Sequence, residues 1–257
     1  PLPHPWEDER EESAAFLDWL DRHFVFLGYR EYDLRLDGAA ACRLRPGRGL
    51  GILREPAPSH WADGGALPAA IAQRLGSPPL LLVSKTHRLS PVHRRVAMDD
   101  IVVKELDADG TVVGARRLLG LFTAAAQASA ASEIPILRRH LSDILRRHGA
   151  VPDSHDSRTL TELFDSFPRQ ELLTSRVDDL HVAMRAVVAA EATLLVDLLC
   201  RPDPTGRGLF VLVLLPRARY STELGARVEA ALLRRLGGRL LDRHLALDDR
   251  LVARLHY

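Results

Sequence analysis

The chain has 257 residues, 46% hydrophobic and 27% charged, enough to build two modules with real cores and an ordinary soluble surface. Its 35 basic and 34 acidic residues leave a net charge of +1, so no global field draws it to nucleic acid or anionic lipid. No apolar run approaches the ~20 residues that cross a bilayer, and Pro1–Trp6 followed by Glu7, Asp8 and Glu9 does not read as a signal peptide, so no membrane partner and a cytoplasmic location are expected.

Phe16, Leu17, Leu20 and Phe24 recur at helical spacing behind a cluster of acids, which predicts a helix over about Glu11 to His23. Phe24–Tyr29 reads as a strand, and its alternation continues through Tyr32, Leu34 and Leu36. Asp37-Gly38 supplies the positive φ angles of a tight turn, and Ala40, Cys42 and Leu44 carry the return strand. Leu50–Arg54 is a short strand, 56–65 a loop, and Leu67–Leu75 a short helix. Strands follow at Leu80–Val83, Ile101–Leu106 and Thr111–Phe122, the last two joined by the turn Asp107–Gly110. The first half is therefore a mostly antiparallel sheet.

The middle turns helical. Ile134, Leu137, Leu141, Ile144 and Leu145 form one stripe that stops at Gly149, and a second helix begins near Ser157. Ser175–Asp178 resembles a capping box and opens a third, with Leu180, Met184, Val187 and Val188 inward. Strands Thr193–Cys200 and Leu209–Leu215, a helix over Thr222–Leu236, and strands Leu240–Leu247 and Leu251–Tyr257 complete the chain. The order α-β-β-α-β-β predicts a ferredoxin-like sheet with its helices on one face. Leu194, Val196 and Leu198 on one side and Leu195 and Leu199 on the other make the first strand apolar on both faces, as in a sheet covered twice.

No motif amounts to an active site. His87, His93, Asp99 and Asp100 match no zinc spacing. Ser154-His155-Asp156 copies a triad only in name, because triad members meet through the fold, and turn and N-cap roles explain it. Gly47, Gly49 and Gly51 are not a G-x-G-x-x-G and no βαβ unit surrounds them, so they mark a turn. Arg207–Val213 has aliphatic residues where an RNA-binding strand needs stacking rings. Asp178/Asp179 and Asp248/Asp249 suit a helix start and a hairpin turn, and Arg217-Ala218-Arg219-Tyr220 a loop before a helix. Cys42 and Cys200 both lie in apolar strand patterns that would bury them; a disulfide stays open, but their spacing suggests no stapled scaffold. Catalytic, cofactor-binding and metal-binding residues are none.

Six stretches, in order, resemble one family: Phe24–Tyr32 (FVFLGYREY), Val92–Asp100 (VHRRVAMDD), Arg116–Thr123 (RRLLGLFT), Ile134–Arg139 (IPILRR), Pro152–Asp156 (PDSHD) and Pro216–Leu224 (PRARYSTEL). Together they resemble the N-terminal region of the large bacterial NAD-specific glutamate dehydrogenases, over nearly the whole chain from Trp19. The resemblance implies a piece of a longer enzyme with an α+β fold: an N-terminal helix over 1–23, a PAS-like antiparallel-sheet module over 24–126, a helical connector over 127–170 and a ferredoxin-like, ACT-like α/β-sandwich over 171–257. It implies a non-catalytic regulatory and assembly role. NAD would belong to the parent's catalytic domain and no cofactor to this stretch. The implied partners are the other domains of the parent chain, with a homo-oligomer and an amino-acid effector as further candidates. The dehydrogenase domain and its catalytic lysine have no counterpart, since Lys85 and Lys104 match no catalytic motif. The alternative is a small-molecule sensor whose PAS-like or ACT-like module binds an amino acid or similar effector.

Overall fold

The backbone N–H and C=O groups of the extended run from Phe24 onward need a partner strand on each side, and they find them. The computed structural model describes residues 4–54, 65–92, 94–202 and 208–257. It divides into two compact units, Pro1–Arg139 and His140–Tyr257. The first holds helix α1 (His4–His23), strands β1 (Phe24–Arg35), β2 (Ala41–Gly51) and β3 (Gly65–Ala66), and helix α2 (Ala69–Gly76). Strands β4 (Leu81–Leu89), β5 (Ala97–Leu106) and β6 (Val112–Phe122) and helix α3 (Ala124–Ala128) follow. Its sheet is antiparallel, in the order β3-β2-β1-β6-β5-β4.

Two irregularities set which side chains share a face. Phe26 pairs with Gly120 but Gly28 pairs with Leu119, so Leu27 is an extra residue and the strand changes face there. Phe24 and Phe26 thus lie with Phe122, whereas Arg30, Tyr32 and Leu34 lie with Arg117 and Ala115. On the other side, Arg30 pairs with Gly49 and Tyr32 with Leu44, so Arg45–Arg48 bulge opposite Glu31. Pro46, with no N–H to donate, suits a bulge. The glycine run predicted as a turn before a separate strand is instead this bulge and the end of one continuous β2. Gly51 has φ +57, and a Cβ there would lie 2.1 Å from the Leu27 oxygen, so the close approach demands glycine.

The second unit takes in most of α4 (Leu137–His148), in which the division falls. It continues with α5 (His155–Asp165), α6 (Arg169–Thr174), α7 (Val177–Thr193), β7 (Asp197–Pro202), β8 (Leu209–Pro216), α8 (Thr222–Leu236), β9 (His244–Ala246) and β10 (Val252–His256). The predicted α-β-β-α-β-β order is present, and the antiparallel sheet runs β7-β8-β10-β9. The helices do not share a face. Val211, Val213, Leu215, Ala253 and Leu255 pack under α8 through Leu224, Val228 and Leu232, while Leu212 and Leu214 are buried on the other face, where Arg254 and His256 of β10 reach Ser166 at the end of α5 and Glu171 on α6. A two-faced apolar β8 can be buried only when helices sit on both sides.

Other expectations shift for local reasons. α1 begins at His4 rather than Glu11, and Trp6 joins the core of Tyr32, Leu75 and Val102. The strand expected over Leu240–Leu247 is only His244–Ala246. Ser175 caps nothing at α7, whose N-cap is Arg176; its Oγ donates to the Glu171 carbonyl instead. Cys42 is buried but Cys200 is exposed, and both are free thiols. Of the predicted loop, residues 55–64 lie outside the described residues, as do His93 and 203–207. Among the described residues no helix is long and apolar enough to cross a membrane.

Candidate functional site

Strand β10 puts Ala253 and Leu255 toward α8 and Val252, Arg254 and His256 toward the opposite helices, and all five are buried. Arg254 has no exposure at all. Its Nη2 donates to Asp248 Oδ2 at 2.6 Å and to the Oγ of Ser166, the C-cap of α5, at 2.9 Å. His256 Nδ1 lies 2.6 Å from Glu171 Oε2 on α6, and the Phe167 ring meets its imidazole edge-on at 5.2 Å. Two further arginines fasten the same sheet to the helices. Arg201 Nη2 donates to Ser175 Oγ at 2.7 Å, and Arg250 reaches Glu191 Oε2 on α7 at 3.0 Å and the Thr159 carbonyl on α5 at 2.8 Å.

Burial is the largest influence on Asp248 and pushes its carboxyl up, but the hydrogen bond and charge of Arg254 with the Arg250 amide outweigh it, so the group is held below the carboxylate range. His244, whose ring lies 5.9 Å from His256, is held below the usual histidine value by burial first and then by His256 and Arg254. Charges taken out of water need partners of good geometry, and breaking one side of such a pair leaves the other stranded. The arrangement therefore fixes one docking of helices on sheet. Glu171 and His256 are both buried and bonded to each other, so the pair reads as a latch.

A second buried charge pair crosses the sheet of the first unit. Arg117 donates to both oxygens of Asp100 at 2.8 Å, and both residues are buried. The pair separates the core of Tyr32, Val102 and Ala115 from that of Met98, Leu119 and Leu121 on the same face. Lys104 is buried beside the Trp6 ring, and its Nζ donates to the carbonyls of Arg74 and Ser77 at the end of α2. Burial first, then Arg74, lowers its pKa to about 7.

The residues weighed in the sequence are dispersed. Asp99 and Asp100 point to opposite sides of β5: Asp99 pairs with Lys85 at 2.9 Å and accepts from the Phe122 amide. Among the described residues no three His, Cys, Asp or Glu side chains are placed to hold a metal ion. Ser154 is the N-cap of α5, accepting from the Ser157 amide at 3.1 Å, and His155 is 92% exposed. Asp178 starts α7 and pairs with Arg147. Arg217–Arg219 form a single 3-10 turn, in which Arg217 donates to the Asp248 carbonyl. Sequence reasoning missed Glu171, Arg254 and His256. The one available signal was a strand ending in Arg254-Leu255-His256, with charges alternating against a fully apolar partner strand.

Comparison with known proteins matches this division of labour. Residues 134–192 match the family model for glutamate dehydrogenase helical motif 1, and residues 197–257 the model for the glutamate dehydrogenase ACT2 domain. The chain is 29% identical to the NAD-specific glutamate dehydrogenase of Pseudomonas aeruginosa over 89% of its length, and 29% identical to that of Halomonas elongata over 97%. It is 28% identical to the protein of that name from Mycobacterium tuberculosis, again over 97%. The chain spans only 14%, 16% and 14% of the length of these three relatives.

Proposed function

Because the chain belongs to the large NAD-specific glutamate dehydrogenase family, as part of its N-terminal region, we propose that it is a non-catalytic regulatory and assembly region of such an enzyme. The activity of the whole enzyme would be NAD-dependent oxidative deamination of L-glutamate to 2-oxoglutarate, carried out in the cytoplasm by a domain outside this chain. The observation that carries the reading is the buried latch. Glu171 lies in the helical-motif segment and His256 in the ACT2 segment, so the bond between them ties together two separately matched pieces of the family. A regulatory region must hold its pieces in one arrangement, and separating a buried charge pair strands both partners, which favours the paired arrangement. The antiparallel sheet of the first unit, with its first and last long strands side by side, supports reading it as the PAS-like module.

The test is made on the full-length enzyme. Glu171→Ala and His256→Ala should alter assembly state or the response to effectors while the KM values for NAD and glutamate stay within about twofold. If either substitution instead raises the KM for NAD with assembly and response untouched, the region belongs to the catalytic apparatus and the reading fails.

A second reading, an amino-acid effector on the first unit, has one observation of its own. An open depression there is lined by Arg45, Glu105 and Arg116, and a zwitterion needs both signs of charge. A calorimetric panel of free amino acids against the chain and its Arg45→Ala variant tests it; saturable binding lost in the variant supports an effector, and no binding removes it.

A further inference from the structure

Two arginines are buried side by side in the sheet of the first unit, and among the described residues only one of them bonds a carboxylate. Arg30 is 7% exposed and Arg117 4%, and they stand directly opposite each other on β1 and β6. The same cross-strand row continues to Gly49 on β2 and Val102 on β5, so no acid stands in it. Asp100, two residues along β5, takes Nε and Nη2 of Arg117 and balances that charge. Arg30 has a carbonyl instead: its Nη2 donates to the Arg54 oxygen at 2.5 Å. The Nε of Arg30 and the Nη1 of Arg117 are buried donors with no acceptor among the described residues.

The neighbours do not supply the second negative charge. A guanidinium keeps its proton, so unlike a lysine it cannot escape burial by turning neutral. Tyr32 is next on the same face, but burial holds its phenol above the ordinary value against the lowering charges of Arg117 and Arg30, so it stays neutral. Gly49 brings no side chain, and a Cβ there would lie 2.7 Å from Arg30 Nη2 and 3.0 Å from its Nε. The guanidinium therefore lies against bare β2 backbone. Like charges directly across a ladder are unfavourable, and a buried charge without a counter-charge is costly. One anion at Arg30 Nε would relieve both.

We propose that Arg30 is an anion site, in which a small, singly charged anion accepts from its Nε and balances the second guanidinium. Chloride and the carboxylate group of a small molecule share this chemistry. The site is distinct from the depression at Arg45, Glu105 and Arg116, because the successive residues Arg116 and Arg117 of β6 face opposite sides of the sheet. The inference goes beyond the proposed function and does not rest on it, since its readouts involve neither NAD nor the latch.

The experiment follows urea unfolding of the whole 257-residue chain at fixed ionic strength while sodium chloride or sodium acetate replaces sodium sulfate. An anion present at about 100 times its Kd favours the folded state about a hundredfold. That saturable gain should vanish in Arg30→Met and persist in Arg116→Met, whose arginine lies on the other face. The anion affinity should also fall at least tenfold in Arg30→Lys, which keeps a cation without the Nε–H and serves if the methionine variant does not fold. A gain with chloride, together with an anomalous peak beside Arg30 Nε in crystals grown in bromide, assigns a halide. A gain with acetate alone, and no such peak, assigns a carboxylate. No saturable gain with either anion, or an equal gain after substitution of Arg30, would overturn the proposal.

Discussion

Arg117 and Asp100 show what a single buried pair demands. Each is nearly inaccessible, and the bidentate bond is the main compensation either has for leaving water. Asp100→Ala should therefore destabilise the first unit by about 3–5 kcal/mol, because Arg117 is left charged in an apolar core. Replacing both residues with leucine and methionine should recover most of that loss, and urea unfolding monitored within the first unit distinguishes the two. Lys104 adds a pH dependence whose sign is fixed. Its folded pKa is about 7 against 10.5 when unexposed to the fold, so between those values the unfolded chain holds more protons than the folded one. Stability should then rise as pH increases through that window, and Lys104→Met should flatten the rise. A slope of the opposite sign, or one unchanged by the substitution, would mean the ammonium stays charged against its carbonyl and ring partners.

At the scale of elements, β10 explains why part of the site was hidden in the sequence. Ala253 and Leu255 against Arg254 and His256 is the pattern of a strand with one wet face. The pattern misleads because the compensating groups lie far away along the chain: Ser166 and Glu171 come from helices 85 or more residues earlier. Local alternation carries no information about such partners. The apolar run over Thr193–Cys200, by contrast, reads as a strand covered twice, yet Leu194, Leu195, Val196 and Leu198 are exposed and the buried strand is its neighbour β8. The bulge at Arg45–Arg48 was also hidden, since a glycine-rich run signals a break in regular structure without saying whether the strand resumes. Glu171→Ala should make the helices report their dependence on the latch. Amide exchange in α5 and α6 should quicken by at least tenfold, while β1 and β6 of the other unit keep their protection. Equal acceleration in both units would show that the substitution lowers global stability instead of opening this contact.

For the molecule as a whole, the family relation was legible because it rests on short ordered stretches spread along the chain, which survive at an identity of 28–29%. What those stretches could not convey is how the helical-motif and ACT2 segments are joined, since that depends on the side chains of β10 and α6. As proposed, this region organises an enzyme without taking part in its chemistry. Titration of the 257-residue chain with NAD, by calorimetry and with L-glutamate both absent and present, decides it. No saturable heat and no NADH formation are expected, and saturable NAD binding in the micromolar range, about −8 kcal/mol, would overturn the proposal.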